Sequence, residues 1–167
     1  MEPIKEALTF DDVLLLPRYS TIIPSQTDLR TDLSSSIRLD VPFLSSAMDT
    51  VTESKMAIEI AKNGGLGIVH RNLSIKEQCL EIKKVKKLNY KVGAAVGTSP
   101  SEYIRAKKLI NTGVNLIVID TAHGHSKNVL DMTTKIKKIA KKIPLCVGNI
   151  ATAEAATAIY NSGADSL

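Results

Sequence analysis

The chain has 167 residues, 44% apolar and 23% charged, which excludes a disordered polymer and leaves enough length to bury one core. Its 22 Lys+Arg against 17 Asp+Glu give a formal charge of +5. The excess gathers in Lys83, Lys84, Lys86, Lys87 and in Lys135, Lys137, Lys138, Lys141, Lys142; with 4% aromatic residues and little Arg interleaved, these runs read as solvated helix faces, not as a polynucleotide footprint, while still suiting attraction of anionic mononucleotides.

Residues 1–41 carry an apolar stretch from Leu8 to Pro17 with Asp11 and Asp12 inside it, then turn signals at Pro17, Pro24 and Ser34-Ser35-Ser36. They are expected to form an extended arm with short strands packed across the bottom of the domain built by the rest of the chain. From residue 42 onward short apolar runs predict strands at 42–47, 66–70, 92–97, 114–120 and 144–149, with a sixth beginning at Ala164. Helix-like segments fall between them at about 54–62, 74–88, 101–111, 126–141 and 153–161.

A weak repeat supports this division. Asn63-Gly64-Gly65, Asn111-Thr112-Gly113 and Asn161-Ser162-Gly163 each close a helical stretch and open an apolar one, with starts 48 and 50 residues apart. Glycine there suits the left-handed conformation that ends a helix. Strict β and α alternation with apolar strands means a parallel sheet, either open and doubly wound or closed as a (β/α)8 barrel. No GxGxxG stands after the first strand, which disfavours the dinucleotide-binding open sheet. A barrel needs eight units and about 250 residues, so the chain is expected to supply an arm, five βα units and the start of strand six of a TIM barrel, as one partial catalytic domain over 1–167.

In such a barrel, ligands meet the loops that come after the strands. Those loops read Ser45-Ser46-Ala47-Met48-Asp49-Thr50, His70-Arg71-Asn72, Gly97-Thr98-Ser99, Asp120-Thr121-Ala122-His123-Gly124-His125-Ser126 and Gly148-Asn149-Ile150-Ala151-Thr152. Thr52 or Ser54, Ser74, Ser99, Ser126 and Thr152 are each suited to cap the next helix. Asp120, ending an apolar strand, either accepts hydrogen bonds from ribose hydroxyls in the barrel mouth or belongs to a structural ion pair. His123 and His125, two apart with no acidic residue completing a set, do not predict a zinc site. Cys146 within a strand reads as a packed thiol, and Cys79 in a lysine-rich helix has no base beside it.

The segment Leu8-Thr9-Phe10-Asp11-Asp12-Val13-Leu14-Leu15-Leu16-Pro17, the stretch from Ser45 to Glu53, the loop from Asp120 to Ser126 and Gly148-Asn149-Ile150-Ala151-Thr152 together resemble the bacterial-type inosine 5′-monophosphate (IMP) dehydrogenase family, in order and in spacing. The resemblance implies a (β/α)8 enzyme that oxidises IMP to xanthosine 5′-monophosphate with NAD through a cysteine thioimidate hydrolysed by water. It implies that Ser46, Met48 and Asn149 bind IMP, with Met48 close to the purine and Asn149 between the two ligands, and that Asp120, Thr121 and Ala122 bind NAD, Asp120 at the nicotinamide ribose. It also implies a homotetramer, a monovalent cation (K+), and no metal ligand or catalytic residue within these 167 residues, since the family's catalytic cysteine loop, cation site and flap lie beyond the sixth strand.

The related GMP reductase typically carries an Ala-Asn-Gly-Tyr core where this chain has Ala122-His123-Gly124-His125, so the wording of that loop favours the dehydrogenase. Most members carry paired CBS modules after the second helix region, but here only about twenty residues separate Asn72 from Val92, too few for a domain. The reductase also lacks that insertion and stays open as an alternative. A reading of another class is a non-catalytic partial barrel that self-associates through its uncovered strand edges. Two distant cysteines without CxxC spacing and an N-terminus without a basic-then-apolar leader predict a soluble cytoplasmic protein, with no membrane or nucleic-acid partner.

Overall fold

A computed structural model describes residues 6–167; the first five residues of the expected arm lie outside the described residues. Two short strands, β1 (Thr31–Ser34) and β2 (Ile37–Leu39), pair antiparallel as a hairpin. The sheet itself has five parallel strands in the order of the chain: β3 (Leu44–Ser45), β4 (Leu66–Val69), β5 (Gly93–Val96), β6 (Leu116–Asp120) and β7 (Leu145–Gly148). Helices α1 (Ser54–Lys62), α2 (Ile75–Lys86), α3 (Pro100–Thr112), α4 (Lys127–Ile139) and α5 (Ala153–Asn161) alternate with them. This is the partial (β/α)8 barrel that the sequence predicts, curled and with sequential neighbours. The predicted sixth strand is represented by one parallel bridge, Cys146 to Ser166, beside β7.

Residues alternate across the sheet with the period of two that strands impose. Val69, Ala94, Val96, Ile117, Ile119, Leu145 and Val147 face the helices, where they pack with Ile82, Val85, Leu109, Ile136 and Ile159. Leu66, Ile68, Ala95 and Leu116 face the barrel interior, with Val118 and Cys146 beside them. Ile37 and Leu39 of the hairpin join this inner cluster, and the Asp40 N–H donates to the Gly64 carbonyl at the start of β4. The hairpin therefore closes the N-terminal end of the barrel, as expected of the arm's short strands.

The rest of the arm departs from expectation. Phe10 is 97% exposed and Leu15 92%, and Leu14, Leu16 and Tyr19 are also uncovered. The apolar run from Leu8 to Pro17 turns at residues 10–12, where the Asp12 N–H donates to the Thr9 carbonyl, and joins neither hydrophobic cluster among the described residues.

Predicted boundaries shrink for identifiable reasons. Pro42 has no N–H to give to a ladder, and the Met48 N–H turns back to the Ser46 carbonyl at 2.9 Å, so the run 42–47 keeps only two strand residues. The helix-ending glycines behave as expected: Gly64, Gly113 and Gly163 have φ of 86°, 91° and 105°. At Gly64 a side chain is excluded twice over, because a Cβ would lie 2.6 Å from that of Asp40.

Of the predicted caps, Ser74 and Thr152 accept hydrogen bonds from Glu77 N and Ala155 N. Ser99 and Ser126 make no side-chain cap bond. Ser99 Oγ instead meets Ser101 Oγ at 2.8 Å, and the Thr52 hydroxyl donates to the Ser46 carbonyl. Helix α1 is capped from outside, its Ser54 N–H donating to the carboxylate of Glu81 on α2 at 2.8 Å.

Candidate functional site

All five loops expected to carry chemistry emerge at the C-terminal ends of β3 to β7, and they are held in two different ways. At β3 and β4 side chains share the holding with the main chain. Val51 N–H and Thr52 N–H both donate to the Met48 carbonyl at 3.0 Å, and the fully buried Thr52 hydroxyl donates to the Ser46 carbonyl at 2.6 Å. The next loop is tied on by Asn72, whose amide donates to Asp49 at 2.8 Å and whose N–H donates to His70 Nδ1 at 3.1 Å. With Nδ1 accepting, the buried His70 carries its proton on Nε2, which lies 3.5 Å from Glu53 Oε1. Met48, Asp49, His70, Arg71, Asn72 and Asp120 border one cavity of about 370 Å³ at this mouth.

At β6 and β7 the main chain does most of the holding. Asp120 stands opposite Gly148 in the ladder. Thr121 N–H and Oγ1 both donate to the Gly148 carbonyl, at 3.0 and 2.7 Å, Asn149 N–H donates back to the Thr121 carbonyl at 2.8 Å, and Gly124 N–H reaches the Asn149 carbonyl at 2.7 Å. The Gly148-Asn149 peptide is cis. A Cβ on Gly124 would come within 2.7 Å of the Asn149 oxygen, so only glycine fits this approach. A second cavity of about 360 Å³ is bordered by Asp120, Cys146, Gly148, Asn149 and Leu167.

Asp120 thus lies on both cavities, joining Met48 on one side to Asn149 on the other. Its carboxylate, half-buried, makes no hydrogen bond or ion pair among the described residues. Thr121 is half-buried next to it. Ala122 is exposed and borders neither cavity. Ser46 lies apart from the others, on a groove along the open edge of β3 with Phe43 and Ile60. His123 and His125 are not buried. Burial pushes the Cys146 thiol above its ordinary range, away from the thiolate a nucleophile needs, and Cys79 lies in the outer helix layer.

Sequence reasoning does not single out Thr52, Asp49, His70 or Arg71 for the site. The polar wording of His70-Arg71-Asn72 at a strand end is the available signal.

Residues 7–167 match the family model described as IMP dehydrogenase / GMP reductase domain. The chain belongs to this family. It is 39% identical over 213 residues to a protein of Borreliella burgdorferi named inosine-5′-monophosphate dehydrogenase, covering 98% of this chain and 53% of that protein. The protein of the same name from Cryptosporidium parvum is 35% identical over 207 residues, covering 98% and 51%. That of Staphylococcus saprophyticus is 30% identical over 288 residues, covering 96% and 59%. The chain spans little more than half the length of these curated relatives. The matched span of 288 residues exceeds the 167 of this chain, so part of the staphylococcal protein within that span has no counterpart in this chain.

Proposed function

We propose that the polypeptide to which this chain belongs is an IMP dehydrogenase, converting IMP, NAD and water to xanthosine 5′-monophosphate and NADH, and that this chain supplies part of both ligand sites as a partial catalytic barrel domain over 1–167. The observation that carries this reading is the Asp120 carboxylate, without a partner among the described residues, standing between Met48 and Asn149 in the barrel mouth. A carboxylate there accepts two ribose hydroxyls, and the neighbouring Thr121 and Asn149 are fixed by main-chain hydrogen bonds, so they add orientation without rearranging. These residues fit a dinucleotide, whose nicotinamide when bound accepts the hydride. Met48 supplies an adaptable apolar surface for a purine, and Asp120, with Thr121 and Ala122 following it in the loop, is assigned to the dinucleotide. Ser46 is assigned to IMP, from the edge of the same β3 loop.

Neither cysteine of this chain suits the covalent step, so the nucleophile is assigned to the remainder of the polypeptide, together with the K+ site. The direct path from Asn72 through α2 to β5 supports a domain without a CBS insertion. That same directness is what favours the second reading, GMP reductase. No described helix is long and apolar enough to cross a membrane, which is compatible with the cytoplasmic homotetramer we propose.

The test is NADH formation by the complete polypeptide given IMP and NAD. Turnover that requires IMP supports the dehydrogenase; consumption of NADPH with GMP in its place overturns it in favour of the reductase. The 167-residue chain alone is expected to give no turnover, and activity surviving purification would return Cys79 or Cys146 to consideration.

A further inference from the structure

Between α2, α3 and the strand ends lies a buried polar network that the ligand assignments do not use. Gln78 is fully buried; its amide nitrogen donates to the carbonyls of Val69 at 3.2 Å and Ala95 at 3.0 Å, one on β4 and one on β5. Its oxygen accepts from Arg105 Nη1 at 2.9 Å, and the same nitrogen donates to the Leu73 carbonyl at 3.0 Å. Arg105 Nε donates to Glu102 Oε1 at 2.8 Å, and the other oxygen of Glu102 accepts the Gly97 N–H at 2.7 Å. Both charged residues are 8% exposed.

A buried Glu–Arg pair brings little stability over apolar residues of the same volume, because desolvation cancels most of its attraction. Stability alone does not account for placing one here. What apolar residues would lose is direction. The backbone groups collected by this network, at Val69, Leu73, Ala95 and Gly97, all lie at or just after the C-terminal ends of β4 and β5, so the network ties both strand ends to α2 and α3. The planar guanidinium and the amide have fixed donor directions, so they set the height and orientation of both loops. The Arg71 guanidinium lies against Gly97, within 3.2 to 3.3 Å of where a Cβ would be, and Arg71 borders the cavity shared with Asp120.

We propose that Gln78, Glu102 and Arg105 are positioning residues of the ligand mouth, holding the loops after β4 and β5 so that Arg71 keeps its place on the rim. The three touch no ligand. They act on the site through the backbone of Leu73 and Gly97.

The test uses Glu102→Gln and Arg105→Lys in the complete polypeptide. Gln replaces one of the two carboxylate oxygens that serve Gly97 and Arg105 separately with an NH2 donor, and Lys keeps the charge but loses the fork. Positioning predicts that amides of 71–74 and 97–99 exchange about tenfold faster in both variants while those of β6 and β7 do not change. It also predicts that the apparent NAD requirement rises by about fivefold to tenfold with kcat changed by less than about twofold. A merely structural ion pair predicts that Arg105→Lys restores wild-type exchange in the loops, or that β6 and β7 loosen in parallel; either result overturns the proposal. If neither variant folds, native-state exchange of the unsubstituted protein decides, since a Gly97 amide that opens locally, well below the global unfolding free energy, also overturns it. The NAD arm rests on the dehydrogenase reading and the exchange arm does not, so the two fail separately.

Discussion

The two halves of the barrel mouth solve the same problem with different materials. At β4 and β5 the loops are fastened by side chains, including two buried charges and a buried amide, while at β6 and β7 the fastening is almost all main chain, with Asp120 left partnerless among the described residues. The first arrangement uses up its polar side chains in holding itself. The second keeps a carboxylate available for a ligand. Substitutions in the first half should therefore reach stability and loop order, and those in the second should reach affinity above all.

The sharpest way to break that contrast is Arg105→Met. It leaves Glu102 buried without its partner, which typically costs about 3 to 5 kcal/mol, and urea unfolding should show a loss of that order. A change under about 1 kcal/mol would mean that the first half is not held by this pair. Asp120→Ala is the counterpart. Losing hydrogen bonds to a charged group costs about 1.5 to 3 kcal/mol, so the apparent NAD requirement of the complete enzyme should rise about tenfold to a hundredfold while the melting temperature and IMP binding stay nearly constant. A drop in melting temperature together with weakened binding of both ligands would erase the distinction between the halves.

Gly124→Ala tests whether main-chain packing holds the second half. The added Cβ would press on the Asn149 oxygen, an overpacking cost of about 1 to 3 kcal/mol, and should weaken NAD binding by displacing Asn149 and Thr121. Unchanged NAD titration would show that this loop has slack.

The smallest effect concerns Glu81. Burial raises its pKa, but hydrogen bonds from Lys84 and Ser54 outweigh this and leave it below the ordinary carboxyl value. A depressed carboxyl stabilises the fold above its unfolded pKa and ceases to do so as pH falls through the folded value. Glu81→Gln should therefore flatten part of the acid limb of stability against pH, below about pH 5, and leave the shape of the curve at neutrality unchanged. An identical acid limb would remove Glu81 as the outside cap of α1.

The same contrast governs how much of the molecule is legible in its sequence. Alternating apolar runs and the three helix-ending glycines are local signals, and they locate every strand and helix of the barrel to within a few residues. Asp120 is visible because a carboxylate at the end of Leu116-Ile117-Val118-Ile119 stands out against apolar neighbours. Glu102 and Arg105 are not, because in a helix reading Pro100-Ser101-Glu102-Tyr103-Ile104-Arg105 a buried charge looks the same as a solvated one. Gln78 is likewise hidden beside the lysines of α2. The arm misleads in the opposite sense: Leu14-Leu15-Leu16 has the composition of a packed segment, yet lies exposed among the described residues. Burial at these places depends on contacts across distant parts of the chain, which periodicity does not report.

The alternation of residues across the sheet also places the two thiols of the chain in different layers, Cys79 on the helix side beside the groove between α2 and α3, and Cys146 on the inner face of β7. An alkylating reagent reaching Cys79 samples the outer helix layer, whereas one reaching Cys146 must approach the inner face of the sheet. The ratio of their labelling rates is therefore a built-in gauge of how far that inner face is covered, readable by mass spectrometry without adding any probe residue.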